Sequence, residues 1–142
     1  MIIGSIHDGI VIDHIPAGRA MELYSYLKLG ELDCEVAIIK NAVSGKRGKK
    51  DIIKIGAPIN LNYDILGFID PHITVNIIRE GKRDRKFHPT LPETIIGLVK
   101  CKNPRCITSC EQELPHVFCL TDRENSIYRC RYCETKAEKH TL

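Results

Sequence analysis

The chain has 142 residues, 43% of them hydrophobic and 27% charged, with a formal net charge of +3. That length holds one ordinary domain or two small ones each short of core, and the composition is that of a globular chain without low-complexity tracts. No run of ~18 apolar residues is present, so no transmembrane helix is expected.

Taken in chain order, Ile6 to Ile15 alternates loosely and reads as a first strand ending at Pro16. Pro16 suits the first turn of a helix, and Ala20, Met21, Leu23, Tyr24 and Leu27 follow at helical spacing, ending near Gly30. Glu35–Ile39 predicts a second strand, Ser44–Lys50 a polar turn, and Ile52–Ile55 a third strand. Leu61, Ile65, Leu66 and Ile69 mark a short second helix stopped by Asp70-Pro71, and the β-branched run Ile73–Ile78 predicts a fourth strand. Segment 83–88 is a candidate edge strand. The order βαββαβ predicts an α+β fold: a ferredoxin-like two-layer sandwich, with an antiparallel sheet and two helices on one face. Strands one and three would then lie together at the centre, with strand four beside strand one. Pro89 and Pro92 punctuate the chain after the edge segment, which predicts domains at 1–93 and 94–142.

Six of the seven cysteines fall between 101 and 133, and Cys34 lies alone in the first domain. The opening MIIGSIHDG lacks the basic region and cleavage site of a secretory signal, so a cytoplasmic location is expected. In that compartment paired cysteines usually hold metal, and an odd number fits a closed disulfide framework poorly. Cys101 and Cys106 are spaced C-x4-C, Cys130 and Cys133 C-x2-C, with 23 residues between the pairs. Two such turns can present four thiolates tetrahedrally to one Zn²⁺. The predicted second domain is thus a small all-β unit folded around one structural zinc ion. Four thiolates close the coordination sphere, so no Lewis-acid catalysis is expected there. Disulfides or buried free thiols are the alternatives. Cys110 can compete as a ligand, although it and Cys119 read better as free thiols, with Cys119 facing a small core.

A four-cysteine zinc unit also invites a nucleic-acid reading. From residue 94 onward there are eight Lys/Arg against six Asp/Glu, and four thiolates with one Zn²⁺ subtract two more charges. The near-zero balance is wrong for a surface that grips phosphates, so a protein-docking role is favoured. A zinc-ribbon nucleic-acid binder is the alternative.

In the first domain 13 basic and 12 acidic side chains cancel, but they are unevenly placed. Lys46, Arg47, Lys49, Lys50 and Lys54 cluster on one hairpin; Arg79, Lys82, Arg83, Arg85 and Lys86 form another group. In a βαββαβ sheet Asp13 and His14 can share a pocket with Lys54 and Lys86, where Asp accepts from ribose hydroxyls and His or Lys holds phosphates. The bland alternative is that both clusters are solvated turns and edge strands. No Walker spacing is present, and Asp13-His14 has no Ser or Cys nucleophile nearby in sequence.

Val11-Ile12-Asp13-His14-Ile15-Pro16, Lys50-Asp51-Ile52-Ile53-Lys54-Ile55, Thr74-Val75-Asn76, Pro89-Thr90-Leu91-Pro92-Glu93 and the cysteine pairs with Cys130-Arg131-Tyr132-Cys133-Glu134 occur in that order. Together they closely resemble the regulatory chains of aspartate carbamoyltransferase, the enzyme of the committed step of pyrimidine biosynthesis. The resemblance spans nearly the whole chain. It implies a non-catalytic subunit whose first domain binds ATP as activator and CTP as inhibitor, with UTP a further candidate, and whose zinc domain docks on the catalytic chain. It implies that Asp13 holds the ribose, His14 the phosphate side, Lys54 the base or ribose and Lys86 the triphosphate. Backbone around Ile6, with Ile52, Asn76 and Ile78, would line the base pocket. Regulatory chains of this kind pair through the nucleotide domain, six of them with six catalytic chains in a dodecamer. No nucleic acid or membrane partner is implied. A small nucleotide-processing enzyme is the remaining competitor.

Overall fold

A computed structural model describes residues 7–45, 48–111 and 113–137. Ile6, expected at a base pocket, lies outside the described residues, as do Lys46 and Arg47. The chain divides into two compact units, Met1–Pro89 and Thr90–Leu142.

In the first unit, β1 (Gly9–Pro16), β2 (Val36–Ser44), β3 (Gly48–Ile55), β4 (Thr74–Arg79) and β5 (Lys82–Phe87) form one sheet in the order β2-β3-β1-β4-β5. Every neighbouring pair is antiparallel. Helices α1 (Ala20–Tyr26) and α2 (Asp64–Ile69) complete the βαββαβ order, and β5 adds the edge strand expected at segment 83–88. Period-two alternation explains the layering. Ile10, Ile12, Ile53, Ile55 and Val75 point to one face and are buried with Ala20 and Leu23 of α1 and Ile65, Leu66, Phe68 and Ile69 of α2. Val11, Ile52, Lys54, Asn76 and Ile78 point to the other face and remain half-exposed.

Two local expectations are corrected. Pro16 is the last residue of β1, paired with Lys50, and not part of a helix. The chain must first turn at Gly18, whose φ of +91° favours glycine, so α1 begins at Ala20. The expected polar turn at 44–50 is also shorter, because β3 already begins at Gly48 and Lys49 and Lys50 pair with Val43 and Ala42.

Asp51 accounts for both. Its side chain is fully buried and accepts three backbone N–H groups: from Gly18 at 3.0 Å, Ala20 at 3.1 Å and Asn41 at 2.9 Å. Both neighbours of β3 carry an extra residue at this level, between Ile12 and Ile15 in β1 and between Ile39 and Ala42 in β2. His14 and Asn41 occupy these bulges with φ of +58° and +59°.

The second unit holds a three-stranded antiparallel sheet, β6 (Thr94–Ile96), β7 (Val117–Asp122) and β8 (Ile127–Cys130), with β7 central, and one helical turn, α3 (Ile107–Cys110). Ile95, Val99, Val117, Phe118 and Tyr128 form its core. The Pro92 carbonyl accepts from the Tyr128 hydroxyl, and the Glu93 carbonyl from Leu120 N–H at 2.8 Å. Cys119 does not face this core. It pairs with Thr94 and Arg129, on the opposite side of β7 from buried Phe118, and is partly exposed.

Candidate functional site

In the second unit the four Sγ atoms of Cys101, Cys106, Cys130 and Cys133 all lie within 4.8 Å of one another. The closest approaches cross between the pairs, Cys101 to Cys133 at 3.5 Å and Cys106 to Cys130 at 3.6 Å. Four thiolates held ~2.3 Å from one Zn²⁺ would sit ~3.8 Å apart, so the cluster is already near the spacing such an ion requires. Local turns set this geometry. Cys106 N–H donates to Asn103 O at 3.1 Å, closing the first knuckle; Glu134 N–H donates to Cys130 O at 2.9 Å, closing the second, with Glu134 at φ +63°.

The acidities of the four thiols diverge, as expected of neighbours that cannot all ionise without a cation. Burial pushes Cys101 up to about 12 and raises Cys130. A hydrogen bond from the buried Thr108 hydroxyl, 3.0 Å from Sγ, lowers Cys106. Burial also pushes on Cys133, but hydrogen bonding by Thr135, Asn103 and Cys101 outweighs it and leaves the thiol at about 6. A divalent ion would replace the protons that the raised thiols retain. Cys110 is exposed, with Sγ 3.6 Å from the Pro104 carbonyl, and stands outside the group.

In the first unit the open face of the sheet collects the other predicted residues. Lys54 pairs with Val11, Val11 with Asn76, and Asn76 with Lys86. Paired residues of antiparallel strands point to the same side, so these four side chains form one row across β3, β1, β4 and β5. Asp13 lies two residues along β1 on the same face, beside Thr74. Ile52 is on that face near the bulge, and Ile78 on it opposite Gly9. His14 would belong to the core face by simple alternation. The bulge turns it outward instead, with Nδ1 3.2 Å from the Thr74 hydroxyl and the His14 backbone N–H donating to Asp13 Oδ1 at 2.6 Å. Asn76 Nδ2 donates to the Val11 carbonyl at 3.4 Å. Lys50 joins this group as well, with Nζ 3.0 Å from Asp13 Oδ1.

The pattern described as "aspartate carbamoyltransferase regulatory chain, allosteric domain" matches residues 1–90, and "aspartate carbamoyltransferase regulatory chain, metal binding domain" matches residues 93–142. The regulatory chain of Clostridium botulinum is 52% identical over 134 residues, covering 94% of this chain and 92% of its own length. That of Clostridium acetobutylicum is 49% identical with the same coverage, and that of Bifidobacterium longum 42% identical over 97% of this chain and 99% of its own. The chain belongs to the aspartate carbamoyltransferase regulatory chain family.

As a member of that family it is a regulatory rather than a catalytic chain, with an allosteric domain followed by a metal-binding one. The metal-binding part carries a four-cysteine group that suits Zn²⁺, and among the described residues this is the one group of three or more potential ligands that could hold a metal. Sequence reasoning missed the groups that support it. Thr108 and Thr135 each follow the last cysteine of a pair by two residues, and His116 Nδ1 accepts the Cys101 N–H at 3.0 Å. The repeated Cys-x-Thr is a readable signal, because a hydroxyl at that offset can donate back to the thiolate. Lys50 stands in a charge cluster along the sequence, but its pairing with Asp13 depends on the β1 bulge, which no local pattern announces. Among the described residues no helix is long and apolar enough to cross a membrane.

Proposed function

We propose that this chain is the allosteric regulatory subunit of a cytoplasmic aspartate carbamoyltransferase, binding CTP as inhibitor and ATP as activator on the open face of its first sheet. The observation that carries this reading is the row Lys54–Val11–Asn76–Lys86 with Asp13 and His14 beside it. At 4.7–4.9 Å per strand the row spans roughly 14 Å, so only an elongated ligand can meet both lysines. A nucleoside triphosphate has the required order of groups: a base near Lys54, Asn76, Ile52 and Ile78, a ribose for Asp13, and phosphates for His14 and Lys86. Adenine and cytosine share an exocyclic amino donor, whereas uracil does not. UTP is therefore a separate case, tested beside the other two.

The zinc domain, a folded thiolate unit without an open metal position, docks on the catalytic chain. Exposed Ile107 and Tyr132, each one residue past a ligand or between two, place apolar surface on its two knuckles. The regulatory chains pair with each other through the first domain, six with six catalytic chains. Opposite responses to two nucleotides in one site require that each favour a different quaternary state, for which a coupling of ~1–3 kcal/mol suffices.

Calorimetric titration of the full chain with CTP, ATP and UTP tests the site. Asp13→Ala and Lys86→Ala are each expected to weaken binding roughly tenfold or more, the scale of a lost charge-assisted hydrogen bond. Unchanged affinity in both variants would refute the assignment. Aspartate saturation of the complex with the catalytic chain, with and without CTP, then tests the regulation itself.

A further inference from the structure

A cleft of about 420 Å³ opens in the first unit, away from the row that carries Lys54 and Lys86. It is lined by Ile10, Ile59, Asn60, Tyr63, Ile77 and Phe87, together with the exposed Arg79, Asp84 and Arg85. Ile10 pairs with Ile77 and Ile77 with Arg85, which places these side chains on the helix side of the sheet. Lys54, Asn76 and Lys86 point the other way. The same strands therefore present two different surfaces.

We propose that this cleft is a second small-ligand site, selective for an organic monoanion with a planar aromatic body and a carboxylate head. Its volume falls within the usual range for small-molecule sites. The body has a ready platform. Tyr63 and Phe87 meet edge to face with centroids 5.4 Å apart, and Ile10, Ile59 and Ile77 line the same cleft. The head has an anchored partner, because the Arg85 guanidinium lies over the Phe87 ring at 4.8 Å. That stacking fixes a planar fork suited to bidentate carboxylate recognition. Arg85 is also close enough to Tyr63 to oppose the upward push that burial exerts on its phenol. Charge sets the valence. Arg79 Nε lies 3.6 Å from Asp84 Oδ2, so two guanidiniums and one carboxylate leave a single positive charge for the ligand. Among the described lining residues a dianion would meet the Asp84 carboxylate with no further cation to offset it.

The test uses the full chain, isotope-labelled for NMR, with benzoate as probe and acetate, benzyl alcohol and phenyl phosphate as comparators. Benzoate is expected to give saturable shifts at Gly9, Asn60, Tyr63 and Arg85 in the millimolar range, leaving Lys54 and Asn76 unmoved. Acetate lacks the body and benzyl alcohol the charge, so each should bind at least several-fold more weakly. Arg85→Gln, on an exposed edge strand, should weaken benzoate to the level of benzyl alcohol, and Tyr63→Leu should weaken both benzoate and benzyl alcohol. Lys86→Ala should leave benzoate binding unchanged. The proposal is overturned if benzoate shifts the Lys54–Asn76 row instead, or if Arg85→Gln binds it as well as the parent chain. It is equally overturned if benzyl alcohol matches benzoate or if phenyl phosphate binds more tightly than benzoate.

Discussion

Asp51 and His14 show how much single side chains decide in this fold. Asp51 sits in a strand where alternation alone gives no reason for a buried charge, yet its carboxylate terminates three backbone donors from two other segments. Its removal leaves those donors without their acceptor. Asp51→Ala is expected to lower stability by about 3 kcal/mol, read as a lower denaturant midpoint at unchanged slope. His14 is the opposite case. A non-glycine residue at φ +58° carries conformational strain, and His14→Gly relieves it while deleting the imidazole beside Thr74. The variant should therefore melt no lower than the parent, yet bind CTP more weakly; a large drop in melting temperature would show that the ring is structural. The sequence marks His14 as a candidate phosphate contact, but neither the bulge that turns it outward nor the acceptor role of Asp51 is readable there. Asp13-His14 stands out there as a polar pair, but alternation sends His14 into the core.

At the scale of elements, strands are legible wherever burial is one-sided. Ile10, Ile12, Ile53 and Ile55 alternate with half-exposed Val11, Asp13, Ile52 and Lys54, and the antiparallel order follows from two-layer packing. The ends of elements escape this logic. Gly48–Lys50 is polar on both faces and reads as turn, although it pairs with β2, and Cys119 lies in an apolar run whose phase is fixed only by pairing. The cysteine knuckles are the most legible feature, because their chemistry is local. They also carry a pH dependence. With Cys101 pushed up to about 12 and Cys130 raised, both hold protons at neutral pH in the metal-free chain. Zinc binding then releases at least those two protons per ion. Acidification therefore favours the metal-free form, and affinity falls by at least about a hundredfold per pH unit below neutrality. The fall steepens below the Cys133 value of about 6. Chelator competition at several pH values measures this slope, and a flat profile would contradict thiolate ligation.

At the scale of the whole molecule, the two units are stabilised by different means. The first has a core of some dozen isoleucine, leucine and phenylalanine side chains between helices and sheet, whereas the second buries few large side chains around its sulfurs. A unit that small usually depends on its staple. Metal removal is expected to unfold the second unit and leave the first intact, so calorimetry should change from two transitions to one. If nucleotide binding by the first unit disappeared together with the metal, the units would not be separable in this way. The open-face row has a consequence for motion. Its four positions, Lys54, Val11, Asn76 and Lys86, come from four different strands, and among the described residues β5 is joined to the sheet through β4 alone. Edge strands fray first in amide exchange. A ligand gripping both lysines would act as a bolt across the strand order, tying the breathing of the edge to that of the centre. Solvent deuterium would then enter β5 as slowly as β1.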